Sequence, residues 1–275
     1  SCGALLETEP RGPDAVKVMC HDIEDPTFNA TAIATNARAR MVPVHRPPRV
    51  PANREPHCEW TVSIDPAAEE VTEPEITRVM SRTRLANIVI PRPKSTQSGG
   101  MDYYHGSVFE QLQLEQLSHA ALVVVCSELA VQVHLLVVGL MYAVAERYGE
   151  AAAMTVAEFQ MAGSGWVVSE RLKIWLGCDG EGIDDVISVL QVHPAFQPSE
   201  YWSIQLTRLD DTRALFELLD CPATAEDLPY GWHALLARGM IGGLEGIVKG
   251  VDIRAQVVAS EKSSLAWEII IDGTD

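Results

Sequence analysis

The sequence predicts an α+β protein, with antiparallel sheet segments at both ends of the chain packed around a long buried central helix and shorter helices. Three observations predict it. Phe109 to Tyr148 is a near-continuous helical pattern that stops at Gly149, a residue suited to end a helix. Cys58 to Asp65 alternates apolar and polar residues as a half-buried strand does. The last quarter of the chain offers two pairs of short apolar runs, each pair joined by a polar turn.

Taken in order, Ala15 to His21 and Phe28 to Thr35 read as strands, the second because it is rich in Ala, Thr and Ile. Asp22-Ile23-Glu24-Asp25-Pro26 supplies turn chemistry between them. A Pro/Arg arm follows, with Arg38, Arg40, His45, Arg46, Arg49 and Arg54 set among prolines 43, 47, 48, 51 and 56. Such a run predicts an extended arm that holds an anionic group or packs on an acidic partner surface, or a solvated loop that lays its arginine stems over the body. Ile76 to Leu85 predicts a short helix, and Ser95 to Gly100 a polar loop.

Behind the central helix, Ala151 to Met161, Val167 to Leu176 and Ile183 to Val192 read as separate helices. Glycine turns at Gly163–Gly165 and Gly177–Gly182 divide them. Tyr201 to Arg208 and Ala214 to Leu219 then pair across Asp210-Asp211. A helix from about Trp232 to Val248 leads into strands Ile253 to Ala259 and Leu265 to Ile271. One compact unit is expected over 1–275: a β-rich region 1–100, a helical region 101–195 and a ββαββ region 196–275.

Composition narrows the function. The chain is 47% apolar and 21% charged, as folded proteins are. Its net charge of −17 repels phosphates and anionic headgroups, so neither nucleic acid nor a membrane surface is an expected partner. Leu129 to Ala145 carries no formal charge, but Glu128 and Glu146 flank it instead of basic residues. That predicts a core helix enclosed by protein, not a membrane span. Six scattered cysteines without a CxxC pair suit a reduced, cytoplasmic protein with no structural disulfide. Plentiful Met, Trp and Val are compatible with a homodimer.

Gly231 to Ile271 resembles the C-terminal half of the vinyl reductase-type small-molecule-binding domains, relatives of the haem–nitric oxide and transport-particle folds. The shared features are close glycines on a helix (Gly239, Gly242, Gly243), a short strand, a polar turn and a last strand Ala-Trp-Glu-Ile-Ile. The resemblance implies enclosure of a small organic ligand. Members often hold a metal with cysteines at the helix start and in the last hairpin; this chain has His233 and no cysteine there, so that site does not carry over.

The central helix bears the candidate chemistry. Glu115, His119 and Cys126 fall within one stripe at 100° per residue, with His134 on its margin, while Glu128 and Gln132 point to the opposite side. A carboxylate buried among apolar residues needs a partner, a proton or a ligand, so Glu128 is the expected acid–base residue, with His119 or His134 beside it. Glu115 and His119, four apart, are a possible pair of ligands to a divalent metal. Cys20-His21 and His57-Cys58 would form a mixed site only if their strands were neighbours. Cys221 with His233 has the residue types of a nucleophile and its base. Gly163-Ser164-Gly165 is neither a P-loop nor a nucleophile elbow, and Asp179-Gly180-Glu181-Gly182 reads as a turn. No GxGxxG fingerprint points to a nucleotide cofactor. The leading expectation is an enzyme of hydrolase or lyase type acting on a small organic molecule in an apolar pocket. The alternative is a non-catalytic ligand-binding or sensor module.

Overall fold

The structure is a computed structural model that describes residues 2–94, 99–107 and 112–273. It is α+β, and the chain divides into two compact units, 1–74 and 75–275, where the sequence suggested one.

The first unit is helical before it is sheet. Helix α1 (Gly3–Thr8) comes first; α2 (Pro13–Lys17), a π-helical stretch, Val18–Ile23, and α3 (Glu24–Thr35) then occupy the ground where two strands were expected. The β-branched residues that suggested strands are accommodated by back-bonding. Thr27, Thr31 and Thr35 each donate a hydroxyl to the carbonyl four residues earlier, at 2.7, 2.9 and 3.2 Å. Part of the Pro/Arg segment is itself a strand: β1 (Ala39–His45) pairs antiparallel with β2 (Glu59–Ile64). The arginines meet carboxylates of their own unit, Arg46 with Asp25 at 2.8 Å and Arg49 with Glu9 at 3.1 Å. With Arg38 on Glu70 at 2.8 Å, three arginines of the basic run are thus paired locally.

The second unit begins with two short helices, α4 (Glu75–Met80) and α5 (Arg84–Asn87), where one was expected; Thr83 breaks the run and caps α5 through the Ala86 N–H. The expected helix start at Phe109, and residues 95–98 of the expected loop, lie outside the described residues. Residues 114–116 form a 3-10 turn, and α6 (His119–Tyr148) starts behind the Ser118 cap and stops at Gly149. Helix α7 (Glu150–Leu176) then runs without interruption through Gly163 and Gly165. Neither glycine makes a turn, and Gly165 serves packing. A Cβ on Gly165 would lie 2.4 Å from Ile247, so the missing side chain lets the neighbouring helix approach.

Helix α8 (Ile183–Val192) precedes a four-stranded antiparallel sheet. Its strands are β3 (Ile204–Arg208), β4 (Arg213–Leu218), β5 (Ala255–Ala259) and β6 (Ala266–Ile271), in the order β3-β4-β6-β5. The turn at Asp210-Asp211 forms as expected, and Asp210 accepts from the Thr212 N–H at 2.9 Å. Between the two hairpins the expected single helix is split into α9 (Trp232–Ala237) and α10 (Gly242–Lys249) by Gly239, whose φ of +73° is open only to glycine at little cost. α10 lies close on α7: a Cβ on Gly246 would meet the Ala162 carbonyl oxygen at 2.5 Å. The core gathers Val137, Val138 and Met141 of α6, Ala157 and Met161 of α7, and Phe216 and Trp267 of the sheet.

Helix α6 departs from expectation in one respect that bears on function. Ala130, Val131, His134, Val137, Val138 and Met141 are buried, but Leu129 and Leu136 are 55% and 65% exposed. Protein encloses one face of this helix and leaves the other open. Among the described residues α6 is the one helix long and apolar enough to cross a membrane.

Candidate functional site

The acid–base and metal residues expected on the central helix do not converge. Glu128 is exposed, because the side of α6 that bears it is the open one. Its carboxylate has no desolvation to offset, and the argument that made it a catalytic group lapses. His119 is the first residue of α6 and is exposed; Glu115 sits in the 3-10 turn before it. Leu117 and Ser118 between them have extended backbone, so the helical four-residue register needed to aim both at one metal ion is missing. Among the described residues no group of three His, Cys, Asp or Glu side chains is placed to hold a metal. Cys20 and His21 lie in the π-helical stretch, not at a strand end; burial pushes the Cys20 thiol up to about 11, and the His21 Nε2 pairs with the Pro47 carbonyl.

His134 is the exception. It is 3% exposed and sits in an aromatic cage, its ring centroid 5.4 Å from Trp232, 5.7 Å from Trp202 and 5.8 Å from Tyr201. Its Nε2 lies 2.7 Å from the Gln197 carbonyl oxygen and accepts from the Trp202 indole N–H at 3.1 Å. A neutral imidazole satisfies one of these at a time: with the proton on Nδ1 it accepts from Trp202, with the proton on Nε2 it donates to Gln197. Burial pushes its pKa down to about 4, against the pull of the Gln197 carbonyl. The imidazole is neutral at pH 7.

Two more histidines share this condition. His193 and His233 are both pushed down to about 4, chiefly by burial. His193 Nδ1 accepts from the Ala195 N–H at 3.1 Å and thereby shapes the turn Pro194–Phe196, while His233 stands 6.4 Å from the Trp202 ring. Burial also pushes the Tyr201 phenol well up, helped by Glu226, to which its hydroxyl donates at 3.3 Å. Cys221 stands at the mouth of the loop after β4 and hydrogen-bonds with Thr224, which accepts from its N–H at 3.0 Å. None of the bonds described for it joins it to His233.

The aromatic cage backs a surface cleft of about 310 Å³. It is lined by Phe196, Trp202, Ile204 and Leu206, and Gln191, Gln197, Ser199 and Ser203 supply polar groups. The local sequence explains this convergence. Pro194 and Pro198 interrupt helical continuation after α8, and the extended stretch that follows carries Trp202 inward before β3 begins. Gln197 belongs to both cleft and cage: its side-chain amide donates to the Gln191 carbonyl at 2.9 Å while its own carbonyl faces His134. None of the lining side chains is ionisable. Sequence reasoning missed Gln197 and Trp202, although the run Pro198-Ser199-Glu200-Tyr201-Trp202 does carry a signal, two adjacent aromatics after a proline.

A second cleft of about 310 Å³, at Lys173, Glu181, Lys249, Asp252 and Arg254, is charged and already paired. Asp252 receives both Arg254 and the Gly182 N–H, and Lys173 donates to the Val251 carbonyl. Comparison with protein-family models, with curated proteins and with solved structures finds no match.

Proposed function

We propose that the second unit binds a small, uncharged cyclic molecule in the cleft over Phe196 and Trp202. The observation that carries this reading is the lining: two aromatic and two aliphatic side chains with two amides and two hydroxyls, and no charged side chain. Aromatic rings take the apolar face of a ring compound, and amides and hydroxyls take its polar edge. A charged ligand would give up its hydration without an opposite charge to replace it. The surface charge of −17 disfavours anions further. The volume suits a single ring or a small fused pair, since ligand pockets begin at about 300 Å³. Enclosure of a small organic ligand, implied by the resemblance of Gly231 to Ile271, agrees with this reading, although the cleft lies outside that segment.

A hydrolase or lyase reading rests on His134. Neutral and backing the cleft through Gln197, it has the protonation state of a general base. Its burial and its contacts with Gln197 and Trp202 leave substrate no path to Nε2 without displacing Gln197, so binding is the better-supported activity.

Thermal-shift measurements with matched uncharged and ionised ring compounds test the proposal. At least one uncharged compound should stabilise the protein saturably and bind about tenfold or more tightly than its ionised analogue. Leu206→Trp, which fills the cleft, should abolish the effect. Binding confined to ionised compounds, or untouched by Leu206→Trp, would refute it. Product formation in the same mixtures, followed by mass spectrometry, separates turnover from binding.

A further inference from the structure

The cleft over Phe196 and Trp202 adjoins an end strand of the sheet. In the order β3-β4-β6-β5 one edge of β3 has no strand beside it. The ladder shows which residues face that edge. The Leu219 N–H donates to the Ser203 carbonyl at 2.8 Å, and the Leu209 N–H to the Arg213 carbonyl at 2.9 Å. Both bonds fit the register that sets Ile204 against Leu218 and Arg208 against Ala214. Hydrogen-bonded residues alternate along an antiparallel pair, so residues 203, 205, 207 and 209 turn their backbone groups to β4. Ile204, Leu206 and Arg208 turn theirs outward. Of these, Ile204 and Leu206 also line the cleft.

We propose that the cleft takes a peptide: an extended, uncharged segment that pairs antiparallel with the outer edge of β3 and sets an aromatic side chain beside Phe196 and Trp202. The proposal rests on the preference of the cleft for an uncharged ring and names what carries that ring. Along the free edge an N–H and a C=O recur at every second residue, about 7 Å apart. A second extended backbone meets each donor with an acceptor at that spacing. In an antiparallel pair, a residue set opposite Leu206 faces its N–H to β3 and projects its side chain on the side of the sheet where Leu206 lies. That is the side of the cleft. One residue of the peptide thus makes the backbone bonds and fills the cleft. A cavity of about 150 Å³ holds benzene, so the cleft of about 310 Å³ has room for a ring and the backbone that bears it.

Charge and packing separate this ligand from its rivals. Arg208, the charged residue of β3, is engaged by Asp184 and Asp211, each at 2.8 Å. An acidic segment therefore meets no open cation on this strand, in a chain of net charge −17. The β3 edge of a second copy would pair in the same way, but its Ile204 and Leu206 pack against its own core and bring no ring to the cleft. A free ring compound fills the cleft and leaves the backbone groups of Ile204 and Leu206 to water.

Calorimetric titration of the full chain with acetyl-Ser-Thr-Phe-Thr-Ser-amide tests this. The peptide should bind about tenfold or more tightly than N-acetylphenylalanine amide, which carries the ring without the flanking strand. N-methylation of the Phe nitrogen, which faces β3, should weaken binding about tenfold or more. N-methylation of either Thr nitrogen, which faces away, should change it less than about twofold. This series leaves the protein unaltered. Leu206→Trp, which fills the cleft, should abolish binding of the peptide. If the single-residue amide binds and the peptide binds no more tightly, the strand pairing is wrong while the preference for an uncharged ring stands. If neither binds, the peptide proposal falls, and thermal shift with ring compounds decides separately whether that preference stands. Equal losses from methylation at Phe and Thr, or peptide binding indifferent to Leu206→Trp, would overturn the proposal. So would a dimer of the 30.1 kDa chain that the peptide disperses, because the edge would then belong to a second copy.

Discussion

The indole N–H of Trp202 donates to Nε2 of His134 across 3.1 Å, inside a cage that excludes water from both rings. This bond joins α6 to the segment entering β3, and through the Gln197 carbonyl it joins both to the cleft. A polar pair among aromatic rings stabilises the fold only while each partner keeps the other satisfied.

His134→Phe keeps an aromatic ring, somewhat larger than the imidazole, and removes the acceptor of the Trp202 indole N–H. The Trp202 N–H is left buried without its acceptor, at a cost of about 2 kcal/mol. The urea midpoint should fall by a corresponding amount with no change of slope. An unchanged midpoint would mean that water reaches the indole.

Acid should weaken the second unit within a defined window. His134, His193 and His233 have folded pKa values near 4, below the ordinary 6.5 that each regains on unfolding. Between these values the unfolded chain holds more protons, so stability rises with pH. It is present in full above pH 6.5 and is lost as pH falls toward 4. Each histidine contributes at most about 3 kcal/mol. Asp252, held down to about 2 by Arg254, adds a loss confined to lower pH. Chemical denaturation at pH 7, 5.5 and 4.5 checks the order, and a flat profile would contradict the burial of the three rings.

Glu128→Gln should leave stability within about 0.5 kcal/mol, since the carboxylate lies on the open face of α6. Ligand binding at the cleft should also be unaffected. A large loss of either would return Glu128 to the role that the sequence suggested.

Gly246→Ala should cost about 2 to 3 kcal/mol. The added methyl meets the Ala162 backbone at 2.5 Å, and a backbone atom cannot rotate away. Gly163→Ala on the exposed side of α7, where a Cβ meets nothing, should instead stabilise by several tenths of a kcal/mol. Thermal melts of the two variants, shifted in opposite directions, are the check.

Much of the second unit was legible in the sequence because its signals are local. Asp210-Asp211 turns one hairpin, the polar run before Leu265 turns the other, and Gly149 ends α6. The first unit was misread because Thr and Ile carry strand preference only until their hydroxyls and neighbours are placed. The hydroxyl back-bonds along α3 depend on a helix already formed. On α6 the difficulty was different. A helix apolar on every side does not say which face is enclosed, so Glu128 was assigned to the interior while His134, set on the margin, proved to be the buried group. What places His134 is Trp202, 68 residues away along the chain, and no spacing rule reaches that far.

The most direct measurement of the central claim follows the Trp202 indole N–H by nitrogen-15 NMR during titration with an uncharged ring compound selected by thermal shift. The resonance, assigned with Trp202→Phe, should move and saturate at one equivalent of ligand, and should stay fixed in Leu206→Trp. A ligand that binds saturably while the Trp202 signal remains still, or one that moves it equally in Leu206→Trp, would place binding elsewhere and contradict the account.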